Sequence, residues 1–353
     1  MMNEKSPSEG LSHLTEFMLE NPEMGGMMQE IGAKVIRRGC FSLFKEAFTA
    51  AIIATRRQKK AVLTATLELS LSSLLMSLGV DPEGGARICE RISETYKPSQ
   101  AKSNLKLVIF TASSSLCSYY LKKCCRVDCS EVERLRYGQL LERLVMGRPL
   151  HLVRHERTHK GSTKEAYLPF PEGRATLGIY YKMCGRDDDA LRFFKSLLRR
   201  PINIPHSFGN TLDRIYYLQL TWIFAAMRDF NNWVSAMYQV AFLNDKIGDT
   251  NSPMLFYDEC GILCTIDGTV HCWRRDMPFT VIFCEECFPR LKDGSLSVDI
   301  CDSTHELMAI PARPQSVKER SIEHQDMMYV CGEWMTCSDW KLSLKEKYGL
   351  EEE

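Results

Sequence analysis

The sequence predicts a mainly helical protein, an irregular helical bundle or α-solenoid with repeat-like helical pairs, carrying a small Cys-rich, β-containing module on its C-terminal side. Three observations predict it. From residue 11 to about 249 the apolar residues recur at helical spacing, and strand-like alternation is scarce. Beyond Pro253 the pattern turns into short β-rich runs separated by turn residues. Eight of the 15 cysteines fall in residues 260–337, which sets that smaller module apart chemically.

A chain of 353 residues with 44% hydrophobic and 25% charged positions suits two or three globular domains and excludes fibrous or disordered chains. The 45 Lys+Arg against 45 Asp+Glu leave no global pull toward nucleic acid or acidic membranes, so any such contact has to come from local basic patches. Residues 1–7 lack the basic start and apolar core of a secretory signal. The most apolar windows, 47–55 and 107–121, are short or broken by serines, below the roughly 18 apolar residues of a spanning helix. The expectation is a cytoplasmic or nuclear protein, neither secreted nor membrane-spanning, whose cysteines are reduced thiols, metal ligands or packing residues.

Taken in order, residues 1–10 read as a flexible N-terminus and 11–148 as a helical domain. One helix carries Ala61, Leu63, Leu67, Leu71, Leu74, Leu75 and Leu78, with Gly79 as its stop and Asp81-Pro82 beyond. A second carries Leu105, Val108, Phe110, Leu116 and Tyr120 and ends in Lys122-Lys123, where cations suit the helix dipole. A third begins after Asp128 or Ser130 as N-cap and carries Val132, Leu135, Leu140, Leu141, Leu144 and Val145. Short turns between such helices predict antiparallel neighbours. Residues 149–173, with Pro and Gly near their ends, read as a basic, His-containing linker or exposed loop. If it is helical, His151, His155 and His159 form one stripe. Their spacing resembles the end of a C2H2 zinc finger, but Glu142 and Arg143 stand where its second cysteine belongs, so no finger is expected.

Residues 174–252 read as repeat-like helical pairs. Leu177-Gly178, Tyr181, Gly185, Ala190, Phe194, Leu197 and Pro201 follow one another at a spacing that resembles the tetratricopeptide repeat. The resemblance implies two short helices in close contact, Gly178 facing Ala190, Gly185 at the turn and Pro201 as the stop. A second unit is offered by Leu220, Phe224, Arg228-Asp229-Phe230, Trp233 and Val240, with Trp233 where the repeat has a small residue. In the Cys-rich α+β module, residues 253–340, the runs 262–266 and 269–273 flank Asp267-Gly268, a two-residue signal for a β-hairpin. Residues 279–283 and 295–300 predict further strands, 311–325 a polar connector, and 341–353 a terminal helix with an acidic tail.

Candidate sites follow from these placements. The two-residue gap between Cys284 and Cys287 lets both thiolates reach one metal, and Cys264, Cys272, Cys301 and His305 are the further ligands of a structural zinc site. The same cysteines also suit plain packing, since a thiol behaves as a small apolar residue, and both readings are open. No phosphate-binding loop, nucleophile elbow, HExxH or kinase signature occurs, so the chain is expected to be non-catalytic. The preferred function is an adaptor or scaffold presenting a helical surface to a protein or peptide partner, with Tyr180, Tyr181, Arg192, Arg199 and Trp222 lining the groove. The alternative is nucleic-acid binding, to RNA or DNA, through the basic helix end Arg56, Arg57, Lys59 and Lys60 and the segment holding Arg154, Arg157 and Lys160.

Overall fold

The computed structural model describes residues 7–20, 39, 41–77, 79–96, 103–126, 128–146, 154–159, 162–167, 172–203, 211–247, 255–256, 263–264, 271–274, 287–296, 307–310, 314–315 and 326–350. They form a mainly helical protein with small antiparallel β pairs, as the periodicity predicts. The chain divides into two compact units, one of Met1–Tyr119 with Arg148–Leu168 and one of Tyr120–Gly147 with Pro169–Glu353.

The first unit contains α1 (Pro7–Glu20), α2 (Phe41–Arg57), α3 (Ala61–Ser77), α4 (Pro82–Thr95) and most of α5 (Ser103–Cys125). Its core gathers Met18, Phe44, Phe48, Leu67, Leu71 and Leu74. Helix α3 is buried on more than one side, so it also buries polar residues, and each of these finds a partner as burial demands. Thr64 Oγ1 donates to Thr55 Oγ1 at 2.9 Å, Ser72 Oγ to the Gly85 carbonyl at 2.8 Å, and Glu68 is held by Arg56 and by Arg91. Helix α4 starts where its sequence says it should: the Asp81 carboxylate accepts from the Gly84 amide at 2.8 Å, with Pro82 in the first turn.

Residues 149–173, expected as a linker, loop or helical stripe, instead contain an antiparallel hairpin of β1 (Arg154–His159) and β2 (Ser162–Tyr167), with His155 opposite Ala166 and His159 opposite Ser162. Thr158, Thr163 and Tyr167 favour extended backbone, and Lys160-Gly161 fall between the strands where a turn is needed. A strand has a period of two rather than 3.6, so His155 and His159 make no helical stripe, and His151 lies outside the described residues.

The second unit holds α6 (Glu131–Met146), α7 (Glu172–Met183), α8 (Asp187–Asn203), α9 (Thr211–Met227) and α10 (Phe230–Ile247). In sequence order each packs on the next: α6 on α7, α7 on α8, α8 on α9 and α9 on α10. Pro201, expected as a stop, lies inside α8, where it removes one ladder bond two residues before the helix ends. Beyond α10 come β3 (Leu255–Phe256), β4 (Leu263–Cys264), β5 (His271–Arg274), α11 (Cys287–Lys292), β6 (Leu307–Ile310), β7 (Met327–Val330), β8 (Glu333–Thr336) and α12 (Cys337–Tyr348). The hairpin expected around Asp267-Gly268 falls on residues 265–270, outside the described residues; among the described residues β4 pairs with β3 and β5 with β6, not with each other. Of the expected strand 295–300, Ser295 and Leu296 instead close the turn that follows α11, and 279–283 lies outside the described residues. Helix α12 begins at Cys337, four residues earlier than expected, capped by Thr336, whose hydroxyl oxygen accepts from the Asp339 amide at 3.0 Å.

Candidate functional site

Helix α6 is the first of the row of packed helices in the second unit, and its two sides differ in kind. Its start is a reciprocal cap: the Glu133 amide donates to Ser130 Oγ at 3.2 Å, and the Ser130 amide donates back to the Glu133 carboxylate at 3.1 Å. The inner side buries Gly138, Leu141 and Val145. Gly138 is required there, because a Cβ would run into the phenol ring of Tyr180 on α7. Tyr137 stacks on Tyr120 with ring centres 6.3 Å apart, and Arg134 Nε donates to the Cys124 carbonyl at 3.2 Å. One flank is tied down by Arg186, which reaches Glu142 at 3.2 Å and Asp189 at 2.7 Å while its guanidinium lies 4.0 Å from the centre of the Tyr181 ring.

The outer side carries large apolar side chains. Val132, Leu135 and Met146 are 79%, 56% and 64% exposed, although the sequence periodicity marked the first two as part of an apolar face. Helical spacing puts them in one line with Gln139 between. Arg136 and Arg143 run along one edge of that line, and neither takes part in an ion pair among the described residues. Other exposed apolar residues, such as Ile53, Val80 and Leu342, stand singly, as is normal for a surface.

Of the residues expected in a partner groove, Tyr180 and Tyr181 are placed otherwise. Tyr180 and Tyr181 are only 5% and 6% exposed, so they are interior residues and not groove lining. Tyr180 fills the space left by Gly138, and Tyr181 is covered by Arg186 and by Phe193, whose ring centre is 5.7 Å away. Arg192 is exposed and bonds Asp189, Arg199 is exposed on α8, and the side chain of Trp222 on α9 lies outside the described residues. In the first unit Arg56 is bound to buried Glu68, whereas Arg57, Lys59 and Lys60 are exposed at the C-terminal end of α2. Arg154 and Arg157 belong to β1 with side chains outside the described residues, as is Lys160.

Of the expected zinc ligands, Cys264 falls in β4 and Cys272 in β5, with undescribed side chains, and Cys284, Cys301 and His305 lie outside the described residues. Cys287 opens α11 and is buried. No group of three or more His, Cys, Asp or Glu side chains is arranged to hold a metal among the described residues. Elsewhere Cys89, Cys117, Cys124, Cys125 and Cys337 are buried, Cys129 is half-buried, and Cys184 and Cys331 are exposed. Burial pushes the Cys89 thiol up to about 11, against a lesser opposing pull from Ser72, and the Cys124 thiol up to about 12, so both are protonated at neutral pH.

A polar cluster that the sequence gives no hint of joins α10 to α12. The Asp229 carboxylate accepts from Asn232 Nδ2 at 2.6 Å, Lys347 Nζ at 2.8 Å and the Tyr348 hydroxyl, and Trp340 Nε1 donates to Asn232 Oδ1 at 2.8 Å. Burial opposes ionisation of Asp229, yet the bonds from Asn232, Lys347 and Tyr348 together hold it below the usual carboxylate range. Burial and the Asp229 bond both push Tyr348 upward, so its hydroxyl keeps its proton and donates. This cluster is a clamp and most of it is interior: Trp340 is fully buried, Asn232 and Tyr348 are buried beside it, and Lys347 reaches in from the half-exposed side. The described helices include none long and apolar enough to cross a membrane. Compared with protein-family models, with curated proteins and with solved structures, the chain matches none of them.

Proposed function

We propose that the protein is a non-catalytic adaptor that offers a helical surface to a protein partner, and that this surface is the outer side of α6. The observation that carries the reading is the line Val132, Leu135 and Met146, exposed on a helix whose opposite side is fixed by Gly138, Leu141 and Val145. A helix at the end of a row is normally polar on its outer side, because nothing follows to cover it. Burying three such side chains against a partner is worth about 1–2 kcal/mol each, enough to contribute to a moderate affinity. The α7–α8 pair supports the same reading as a repeat-like scaffold: Gly178 lies under Phe194, where a Cβ would come 2.8 Å from the ring, so the two helices approach closely. The exposed cation Arg57 lies in the last turn of α2, where the helix dipole favours it without any nucleic acid.

The test is a photo-reactive benzophenone amino acid placed at position 139, in the middle of the line, in the full chain in its native cell. The expected result is a discrete protein adduct whose yield collapses when Leu135→Asp is added. Lack of any protein adduct, or adducts indifferent to Leu135→Asp, removes the reading. If the protein instead retains single-stranded RNA whose binding falls by orders of magnitude with salt and is lost on Arg57→Glu with Lys60→Glu, the function is nucleic-acid binding.

A further inference from the structure

The charges beside the apolar line of α6 carry the argument one step further, and the step rests on the adaptor reading above. In an ordinary solvated helix an arginine finds a carboxylate three or four residues away. Arg143 has Gln139, Leu140, Met146 and Gly147 at those positions, none of them acidic. Arg136 has Val132, Gln139 and Leu140, and its one acidic neighbour, Glu133, is engaged in the cap with Ser130 at 2.7 Å. On the opposite edge Glu142 is already taken by Arg186 at 3.2 Å. The outer side of α6 is therefore an apolar line with two uncompensated positive charges along one edge, seven residues or about 10 Å apart.

The line runs 14 residues from Val132 to Met146, about 21 Å along a straight helix. Its apolar side chains protrude as a ridge. A ridge offers no pocket for the isolated side chains of an extended peptide, but it fits the groove between side-chain rows of another helix. We infer that the outer side of α6 binds an amphipathic helix whose apolar stripe is bordered by acidic residues at seven-residue spacing. The acidic edge lies along Arg136 and Arg143 and the stripe covers Val132, Leu135 and Met146. The arginines select the sign and orientation of the partner, and the apolar line supplies the hold.

The experiment uses the full chain and two labelled synthetic helices of about 18 residues, long enough to cover the line. Both carry the same Leu stripe; one has Glu at the two flanking positions seven apart, the other Lys. Binding is read by fluorescence anisotropy. The Glu helix should bind about tenfold or more tightly than the Lys helix at low salt, and the gap should narrow at high salt. In the double variant Arg136→Glu with Arg143→Glu the preference should reverse. Leu135→Asp should abolish binding of both helices, while circular dichroism and the thermal midpoint show that the fold is kept.

Equal binding of the two helices, no binding of either, or an unchanged preference in the double variant overturns the inference. So does a wild-type dimer in light scattering that Leu135→Asp converts to monomer, because a second copy would then cover the ridge. An adduct from position 139 to a protein other than this chain, together with any of these outcomes, leaves the adaptor reading standing and removes only the acidic helix; absence of such an adduct removes both.

Discussion

Asp229 shows how much one side chain can decide in this protein. It sits between α9 and α10, and it ties the end of α12 to the start of α10 through Lys347 and Tyr348. Its folded pKa is held below the usual carboxylate range, so its contribution is fully present above the unfolded pKa of about 4 and is lost as pH falls through the lower, folded value. The thermal midpoint of the second unit should therefore drop on acidification below about pH 4, and Asp229→Asn should flatten that drop while costing about 1–3 kcal/mol at neutral pH. Midpoints of wild type and variant measured from neutral to acid pH test this, and parallel curves would show that Asp229 has no part in the acid response. The sequence could not reveal the cluster, because the partners of Asp229 lie 118 and 119 residues away and such a bond leaves no local pattern. Ser130 is the opposite case. Its carboxylate partner is three residues on, and Ser130 was one of the two N-caps, with Asp128, that the sequence offered.

Between elements, the packing of short helices turns on places where a side chain is missing. Gly138 lets α6 approach α7 until the Tyr180 ring covers it, and Gly178 lets α8 lay Phe194 across α7. Replacing Gly138 by Ala puts a methyl group into the Tyr180 ring, which should cost about 1–3 kcal/mol and lower the thermal midpoint of the second unit by a few degrees to roughly 10 °C. The same change should weaken binding of the Glu helix, because α6 must shift to relieve the clash. Calorimetry of Gly138→Ala checks the first part, and an unchanged midpoint would mean that the two helices do not meet at that glycine. The helical pair of α7 and α8 was legible in its apolar spacing and its turn at Gly185, but the detail of the contact was not. Gly178 was expected to face Ala190; the atoms nearest to a Cβ at Gly178 are those of the Phe194 ring, one turn further along α8. The strands were the least legible. Asp267-Gly268 carries the chemistry of a tight turn, yet β5 pairs with β6, 36 residues on when counted from His271 to Leu307, since partner choice depends on which apolar runs the rest of the fold brings alongside.

For the molecule as a whole, the decisive event in the second unit is the return of the C-terminal helix. The helix itself was expected, as a terminal helix over 341–353 with an acidic tail, and α12 ends at Tyr348 with Gly349 in left-handed backbone. Where it goes is set by Trp340, which has no exposed surface and stacks on Tyr217 at 6.1 Å and edge-on to Phe224 at 6.0 Å, both on α9. One aromatic residue thus joins the two ends of a chain segment of more than 100 residues, and its indole N–H closes the account by donating to Asn232 Oδ1 at 2.8 Å. Trp340→Ala removes a large buried side chain and leaves Asn232 without that donor, so it should cost about 3–5 kcal/mol, a large share of the stability of a domain this size. Trp340→Phe keeps most of the packing and loses only the hydrogen bond, and should cost about 1–3 kcal/mol. In denaturant titrations of the full chain the two variants should rank in that order, and the transition of the first unit, built on Phe48 and Leu67, should not move. Equal losses from both variants would put the hydrogen bond, not the stacked rings, in charge of docking. If neither variant lowers stability, α12 is a passive cover, and the clamp around Asp229 holds the helix without help from the aromatic core.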